Sequence, residues 1–246
     1  MFKDNAFIDA SNLLINSSKL KNSTKVTNNI TVNDIELDSK TAKKINKNKG
    51  KYITITFNKD NISSDLEMLI NQISNSVKDL MAYLKITKPT KTLFIGLGNK
   101  DYACDSFGYK MIESLSVTNK TYKIYKDVLG KTNILSIDFI KSITTLLDAD
   151  LVITFDSLKT FDVNRLGCTI QMSSTGLSPG SAYDSITKVI DKKTIKRPVI
   201  NIGIPSIINL NNIDKTLPNL VVTTNNIDEL VSDLTSIISI ALNRVF

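Results

Sequence analysis

The amino-acid sequence predicts an α/β protein with three layers, in which helices flank a mostly parallel central sheet. Several apolar segments have the length of strands that are buried on both faces, and amphipathic helical segments alternate with them along the chain. The chain has 246 residues, of which 41% are hydrophobic, and this is enough for one substantial core. We therefore expect one domain over residues 50–246, preceded by a polar arm over residues 1–49 that is rich in Asn, Lys, Ser and Thr.

The first half of this domain is predicted to contain two strands and three helices. Lys51–Phe57 alternates apolar and polar residues as a strand does, and the nearly continuous apolar segment TLFIGLG, which starts at Thr92, is typical of a buried strand. A long amphipathic helix begins near Ser63, where Ser64 and Glu67 form a capping-box pattern. The segments SFGYKMIESL and SIDFIKSITTLLD predict two further helices.

The second half repeats this alternation. ADLVITFDSL has the pattern of a buried strand that ends on an acid, Asp156, and CTIQM and RPVINIGIP predict two more strands. NLVVTT leads into a terminal helix that begins near Asn226 and keeps the helical period as far as Val245.

The absence of histidine from the sequence restricts the chemistry most. It excludes Ser-His and Cys-His nucleophilic pairs, histidine-ligated metal sites and the commonest general base. Cys104 and Cys168 form no CxxC pair and no disulfide framework, which indicates a reducing compartment, and we interpret Cys104 as a packed residue rather than a nucleophile. We expect no cofactor and no metal; hydrolysis through a carboxylate-bound magnesium or calcium ion is the weaker alternative.

The net charge of +7 is distributed unevenly along the chain. Six lysines lie between Lys40 and Lys51 without the aromatic residues that stack on bases, so we interpret this run as a solvated face and expect no direct contact with nucleic acid. An acidic partner stays open as an alternative. Charges interrupt the first 18 residues, and no segment approaches the length of a membrane span, so we expect a cytoplasmic protein without membrane contact.

Two aspartates are the strongest candidates for chemistry. Asp105 lies a few residues after the predicted strand TLFIGLG, and Asp156 directly follows LVITF. Ligands of parallel α/β sheets bind beyond the carboxyl ends of the strands. If the two strands are neighbours, the carboxyl groups share one crevice and hold one proton between them, so the pair is able to activate water and protonate a leaving amine. The alternative is that each aspartate caps a following helix.

Two glycine-containing segments are candidates for substrate binding. GLGNKD does not complete a dinucleotide-binding motif, because Asp101 occupies the position of its third glycine. CTIQMSSTGLSPGS joins a predicted strand to a loop whose N–H groups are able to bind an oxyanion or an acidic side chain, although a tight turn of small residues explains the loop equally well. We assign substrate or oxyanion binding to Gly98, Asn99, Thr175, Gly176, Pro179, Gly180 and Ser181.

These segments together resemble the germination protease family. GLGN, CDSFG, ADLVITFDSL, TIQMSSTGLSPGS, RPVINIGIPSII and NLVVTTNNIDELVSDLTSIISIALN occur in the order of the family's own segments. The resemblance implies a fold like that of the hydrogenase-maturation proteases, of the phosphorylase/hydrolase-like type. It also implies an atypical aspartic-type endopeptidase that degrades small acid-soluble spore proteins, with the family's proposed catalytic pair falling on Asp105 and Asp156.

The resemblance has further implications and also shows departures. It implies a zymogen, so that residues 1–49 are propeptide-like, a homotetramer, a location in the forespore or spore core, and cleavage after an acidic residue. Cys104 and Tyr109 replace the prolines that flank the family's first aspartate, Ser174 replaces another aspartate, and AYDSIT replaces the family's GVGNKR. These departures keep a second hypothesis open, a non-catalytic relative with a binding or regulatory role.

Overall fold

The computed structural model describes residues 21–45, 47–177 and 189–246, and these residues form a nine-stranded mixed sheet. The strands are β1 (Lys21–Thr27), β2 (Ile30–Leu37), β3 (Gly50–Phe57), β4 (Thr92–Leu97), β5 (Thr121–Lys126), β6 (Leu151–Thr160), β7 (Thr169–Ser173), β8 (Val199–Asn209) and β9 (Val221–Val222). They lie side by side in the order β1-β2-β3-β7-β8-β6-β4-β5, and β9 pairs with β8.

Parallel pairing is confined to strands β5, β4, β6 and β8. The strands from β1 to β3, together with β7 and β9, pair antiparallel with their neighbours. The predicted α/β fold with a central sheet flanked by helices is therefore confirmed, but the described sheet is mixed rather than mostly parallel as predicted. Its parallel part carries the candidate site.

Eight α-helices surround the sheet in the described residues, and none of them is long and apolar enough to span a membrane. The helices are α1 (Ser39–Lys44), α2 (Ile62–Tyr83), α3 (Phe107–Ser114), α4 (Leu129–Thr132), α5 (Ser136–Leu147), α6 (Lys192–Ile195), α7 (Leu210–Ile213) and α8 (Ile227–Asn243). Helices α2, α3 and α8 pack on one face of the sheet around Phe94, Phe155 and Ile202. Helices α5 and α6 cover the other face, against Leu93 and Val152.

Helix α2 carries the predicted apolar face, but its start differs from the prediction. It begins at Ile62 after Asn61, and the Ser64 hydroxyl donates to the Asn61 carbonyl at 2.8 Å. Glu67 instead forms an ion pair with Arg244, which follows α8, at 2.6 Å. The predicted capping box is therefore wrong, and the side chain of Glu67 joins the two long helices.

Three strands of the structure lie outside the sequence prediction. Strands β1 and β2 belong to the described part of the polar arm, and β2 pairs with β3 over its whole length, from Ile30 opposite Phe57 to Leu37 opposite Gly50. Strand β5 closes the other end of the sheet with the sequence TYKIYK, whose central residues are half-buried. These three strands lack the continuous apolar pattern by which buried strands are predicted, and β1 and β5 are edge strands.

Candidate active site

The candidate site lies where the carboxyl end of β4 meets the middle of β6, an adjacent parallel strand. Gly96 of β4 is opposite Phe155 of β6, so Asp156 lies level with Leu97, the last residue of β4. Strand β6 continues to Thr160, and Asp156 therefore lies within the strand rather than at its end as predicted. Asp105 belongs to a short 3-10 turn, Ala103–Asp105, which follows β4 and precedes α3.

Glycines bring the Asp105 turn close to the sheet. Gly98 has a φ of +116°, and a Cβ atom at this position would lie 2.3 Å from the carbonyl oxygen of Asp105. A Cβ atom at Gly108, in the first turn of α3, would lie 2.2 Å from the carbonyl oxygen of Leu97. Larger residues at these two positions would push the turn and the helix away from the strands.

Asp105 is held by a backbone donor in a partly buried position. The Asn99 N–H donates to the carboxylate Oδ2 of Asp105 at 2.8 Å and to its carbonyl oxygen at 3.1 Å. The pKa of Asp105 is raised to about 6, chiefly by burial; the Asn99 N–H opposes the shift, and the charge of Asp127 adds to it. Asp105 therefore exchanges its proton close to neutral pH.

Asp156 is more deeply buried, with 8% of its surface exposed. Its pKa lies well above the ordinary value, chiefly because of burial and then because of the charge of Asp105, while the Ser157 N–H acts in the opposite direction. The Ser157 hydroxyl is buried as well and has no hydrogen-bond partner among the described residues. The charge of Asp105 thus acts on Asp156, and the two carboxyl groups are coupled.

Raised pKa values at both carboxyl groups make the pair suitable for acid–base chemistry. An ionised Asp105 is able to accept a proton from water, and a neutral Asp156 is able to donate one to a leaving group. The helix-capping alternative does not describe either residue: α3 begins after Ser106 without a side-chain cap among the described residues, and Asp156 is a strand residue.

Comparison with known proteins places the chain in a family. The family model described as germination protease matches residues 7–217. The chain belongs to the germination protease family. Relatives described as germination proteases from Oceanobacillus iheyensis and Clostridium acetobutylicum are 32% and 30% identical, each over 73% of this chain. These matches cover 53% and 60% of the relatives, so the chain spans little more than half the length of the curated germination proteases it matches.

Among solved structures, a hydrogenase maturation protease from Thermococcus kodakarensis is similar to this germination protease family member. The superposition covers 68% of this chain and 98% of that one, with a TM-score of 0.44 and 15% sequence identity.

Two of the predicted binding residues, Gly98 and Asn99, lie beside Asp105. Asn99 donates to Asp105 as described, and the Gly98 carbonyl accepts a hydrogen bond from the Tyr125 hydroxyl at 2.8 Å. Tyr125 and the neighbouring Asp127 and Lys131 form a polar group next to the turn that the sequence interpretation missed. The sequence interpretation missed them because it did not predict β5, so the residues at the end of this strand could not be placed in the fold.

The segment that resembles the family's glycine-rich loop is not brought to the aspartates in its described part. Ser173, the last residue of β7, pairs with Asn201, which is opposite Thr154, two residues before Asp156. Because β7 runs antiparallel to β8, the residues after Ser173 lead away from Asp156.

Thr175 and Gly176 therefore lie at the opposite edge of the sheet. The Thr175 carbonyl accepts a hydrogen bond from Asn48 at 3.4 Å, and a Cβ atom at Gly176 would lie 2.6 Å from Asp191. Pro179, Gly180 and Ser181 lie outside the described residues.

Cys104, next to Asp105, has the environment of a packed thiol. It packs against the large core, and burial together with the charge of Asp105 raises its pKa. Both causes disfavour the thiolate that nucleophilic chemistry requires. Within the part of the chain that the structure describes, no group of three or more Asp, Glu or Cys side chains has a geometry suited to a metal ion.

Proposed function

We propose that this chain is an endopeptidase of the germination protease type, in which Asp105 and Asp156 activate water to hydrolyse peptide bonds of small acid-soluble spore proteins. The observation that carries the proposal is the pair of interacting carboxyl groups at one edge of the sheet, one with a pKa of about 6 and one with a pKa well above the ordinary value. Family membership supports the substrate class.

The proposed reaction uses the two groups in different protonation states. The Asp105 carboxylate accepts a proton from a water molecule whose oxygen attacks the peptide carbonyl carbon. Asp156 donates its proton to the leaving amine nitrogen as the C–N bond breaks. The proton held by Asp105 then returns to Asp156, which regenerates the pair.

Family resemblance alone supports the remaining parts of the proposal. These are a zymogen form, a homotetramer, cleavage after an acidic residue, and a location in the forespore or spore core.

Single substitutions test the pair. We expect Asp105→Asn and Asp156→Asn each to lower kcat/KM for a small acid-soluble spore protein by at least about 100-fold, the range of general acid–base catalysis. Asp138→Asn, at an exposed position in the first turn of α5, is the matched control and should retain wild-type activity. Retention of activity by either pair variant would remove the pair from the mechanism.

A binding protein without catalytic activity is the second candidate. The replacement of GVGNKR by AYDSIT and the position of Thr175 and Gly176 away from the aspartates favour it. Wild-type protein that binds the substrate in calorimetry, yet leaves it intact between pH 5 and pH 8, would support this candidate over the endopeptidase.

A further inference from the structure

Lys131, in the short helix α4, contacts the turn that leads to Asp105. Its ammonium group lies 2.7 Å from Oδ1 of Asn99, contacts the carboxylate of Asp101, and is 3.5 Å from Oδ2 of Asp127. Asn99 and Asp101 belong to the turn after β4, whereas Asp127 follows β5. One side chain therefore connects the segments that follow two neighbouring strands.

Asn99 transmits this contact to Asp105. Its side-chain oxygen accepts from Lys131 and, at 3.1 Å, from the N–H of Asp101, while its own N–H donates to the Asp105 carboxylate at 2.8 Å. Only 8% of the Asn99 surface is exposed. The other side of the turn is held by Tyr125, whose hydroxyl donates to the Gly98 carbonyl and accepts from the Lys100 N–H.

We propose that Lys131 is a positioning residue for Asp105, which holds the Asn99 turn so that the Asn99 N–H remains on the Asp105 carboxylate and which offsets the negative charge of Asp127. The inference rests on the proposed function, since it assigns to Asp105 the role of the base. Lys131 acts through Asn99 and Asp127.

The ionisable groups around Asp105 determine the direction of the expected effect. Asp127 and Tyr125 face it from the β5 side, Asp156 from β6, and Cys104, Lys100 and Asp101 belong to its own connection. Helix α8, which packs on the turn, carries Asp228, paired with Lys110 at 2.6 Å, and Glu229 in its first turn.

Removal of the Lys131 ammonium group acts on Asp105 in three ways. A cation is lost, the charge of Asp127 is no longer offset, and the Asn99 N–H is held less firmly. All three changes disfavour the ionised form of Asp105 and raise its pKa. Because Lys131 is 37% exposed and Asp101 is 56% exposed, their ion pair contributes little to folding, and the variants are expected to fold.

The test is the pH dependence of kcat/KM for Lys131→Met, Lys131→Arg and wild type. The matched control is Lys141→Met, an exposed lysine on α5. For Lys131→Met we expect the acid limb of the profile to move up by about one pH unit, as for the loss of a nearby charge and a hydrogen bond. This corresponds to a loss of about tenfold at pH 5 and almost none at pH 8. Lys131→Arg should restore at least part of the shift, and Lys141→Met should show none.

Two results would overturn the proposal. One is an acid limb with the same midpoint in Lys131→Met as in wild type, and the other is an equal loss of activity at every pH, which would indicate a purely structural contact. Titration of the Asp105 carboxyl carbon by 13C NMR, in wild type and Lys131→Met, gives a readout that does not depend on turnover. If the wild-type chain proves inactive, the proposed function fails, but a higher Asp105 midpoint in Lys131→Met would still support the positioning role.

Discussion

Aspartates have opposite roles at the two edges of the parallel part of the sheet, the edge at the amino-terminal ends of its strands and the edge toward their carboxyl ends. At the amino-terminal edge, Asp191 accepts hydrogen bonds from the N–H groups of Lys193 and Thr194 in a capping box, and Asp150 accepts from the N–H groups of Thr90 and Lys91. The Thr90 hydroxyl also donates to Asp150 and lowers its pKa most, and the two N–H groups lower it as well. Such contacts favour the ionised form and stabilise the fold.

At the carboxyl-terminal edge the pKa values move the other way. Burial raises the pKa of Asp105 and of Asp156, and neither residue caps a helix in the described part of the chain. A folded state that raises the pKa of a carboxyl group is destabilised by that group at neutral pH. Asp150 and Asp191 therefore stabilise the fold, whereas Asp105 and Asp156 destabilise it at neutral pH and are the candidates for function.

The largest expected effect on stability is that substitution of an aspartate changes the free energy of unfolding in opposite directions at the two edges. The folded-state pKa of Asp105 is raised from 3.8 to about 6, so its unfavourable contribution is absent below pH 3.8, grows as the pH rises to 6 and is complete above it. We expect Asp105→Asn to raise the free energy of unfolding at pH 8 by up to about 3 kcal/mol and to change it little at pH 3.5. Asp191→Ala should lower it by about 1 kcal/mol at pH 8.

Urea unfolding of both variants and wild type at the two pH values makes this measurement. A loss of stability in Asp105→Asn at pH 8 would show that the Asp105 carboxylate is a structural group, and the contrast between the edges would disappear.

A smaller effect distinguishes two glycines, one at each edge. Gly98 has a φ of +116° and touches the Asp105 turn, whereas Gly176 has a φ of +96° and touches Asp191. We expect Gly98→Ala and Gly176→Ala each to lower the free energy of unfolding by about 1 to 3 kcal/mol, because each Cβ atom overlaps its neighbours.

Activity separates these two variants. Under conditions in which both variants are fully folded, only Gly98→Ala should lower kcat/KM, since only its strain displaces Asp105. An equal loss of kcat/KM in Gly176→Ala would mean that the Thr175–Gly176 segment supports the site after all.

The sequence predicts most of the fold but only part of the candidate site. Segments such as TLFIGLG and LVITF are apolar because both faces of β4 and β6 are covered, and this pattern is visible without a structure. The polar strand β5 has no such pattern, so Tyr125, Asp127 and Lys131 could not be located. A buried strand also has the same pattern in either direction, so the antiparallel course of β7, which carries Thr175 and Gly176 away from Asp156, was not predictable.

If Asp105 and Asp156 act as the proposed pair, their carboxyl groups interact and hold different protonation states near neutral pH. Titration of both carboxyl carbons by 13C NMR, in wild type and in each single Asn variant, tests it most directly. We predict a midpoint near 6 for Asp105, an Asp156 that remains protonated after Asp105 has ionised, and a lower midpoint for Asp156 in Asp105→Asn. Two carboxyl groups that are both ionised at pH 5, each indifferent to the substitution of the other, would contradict it.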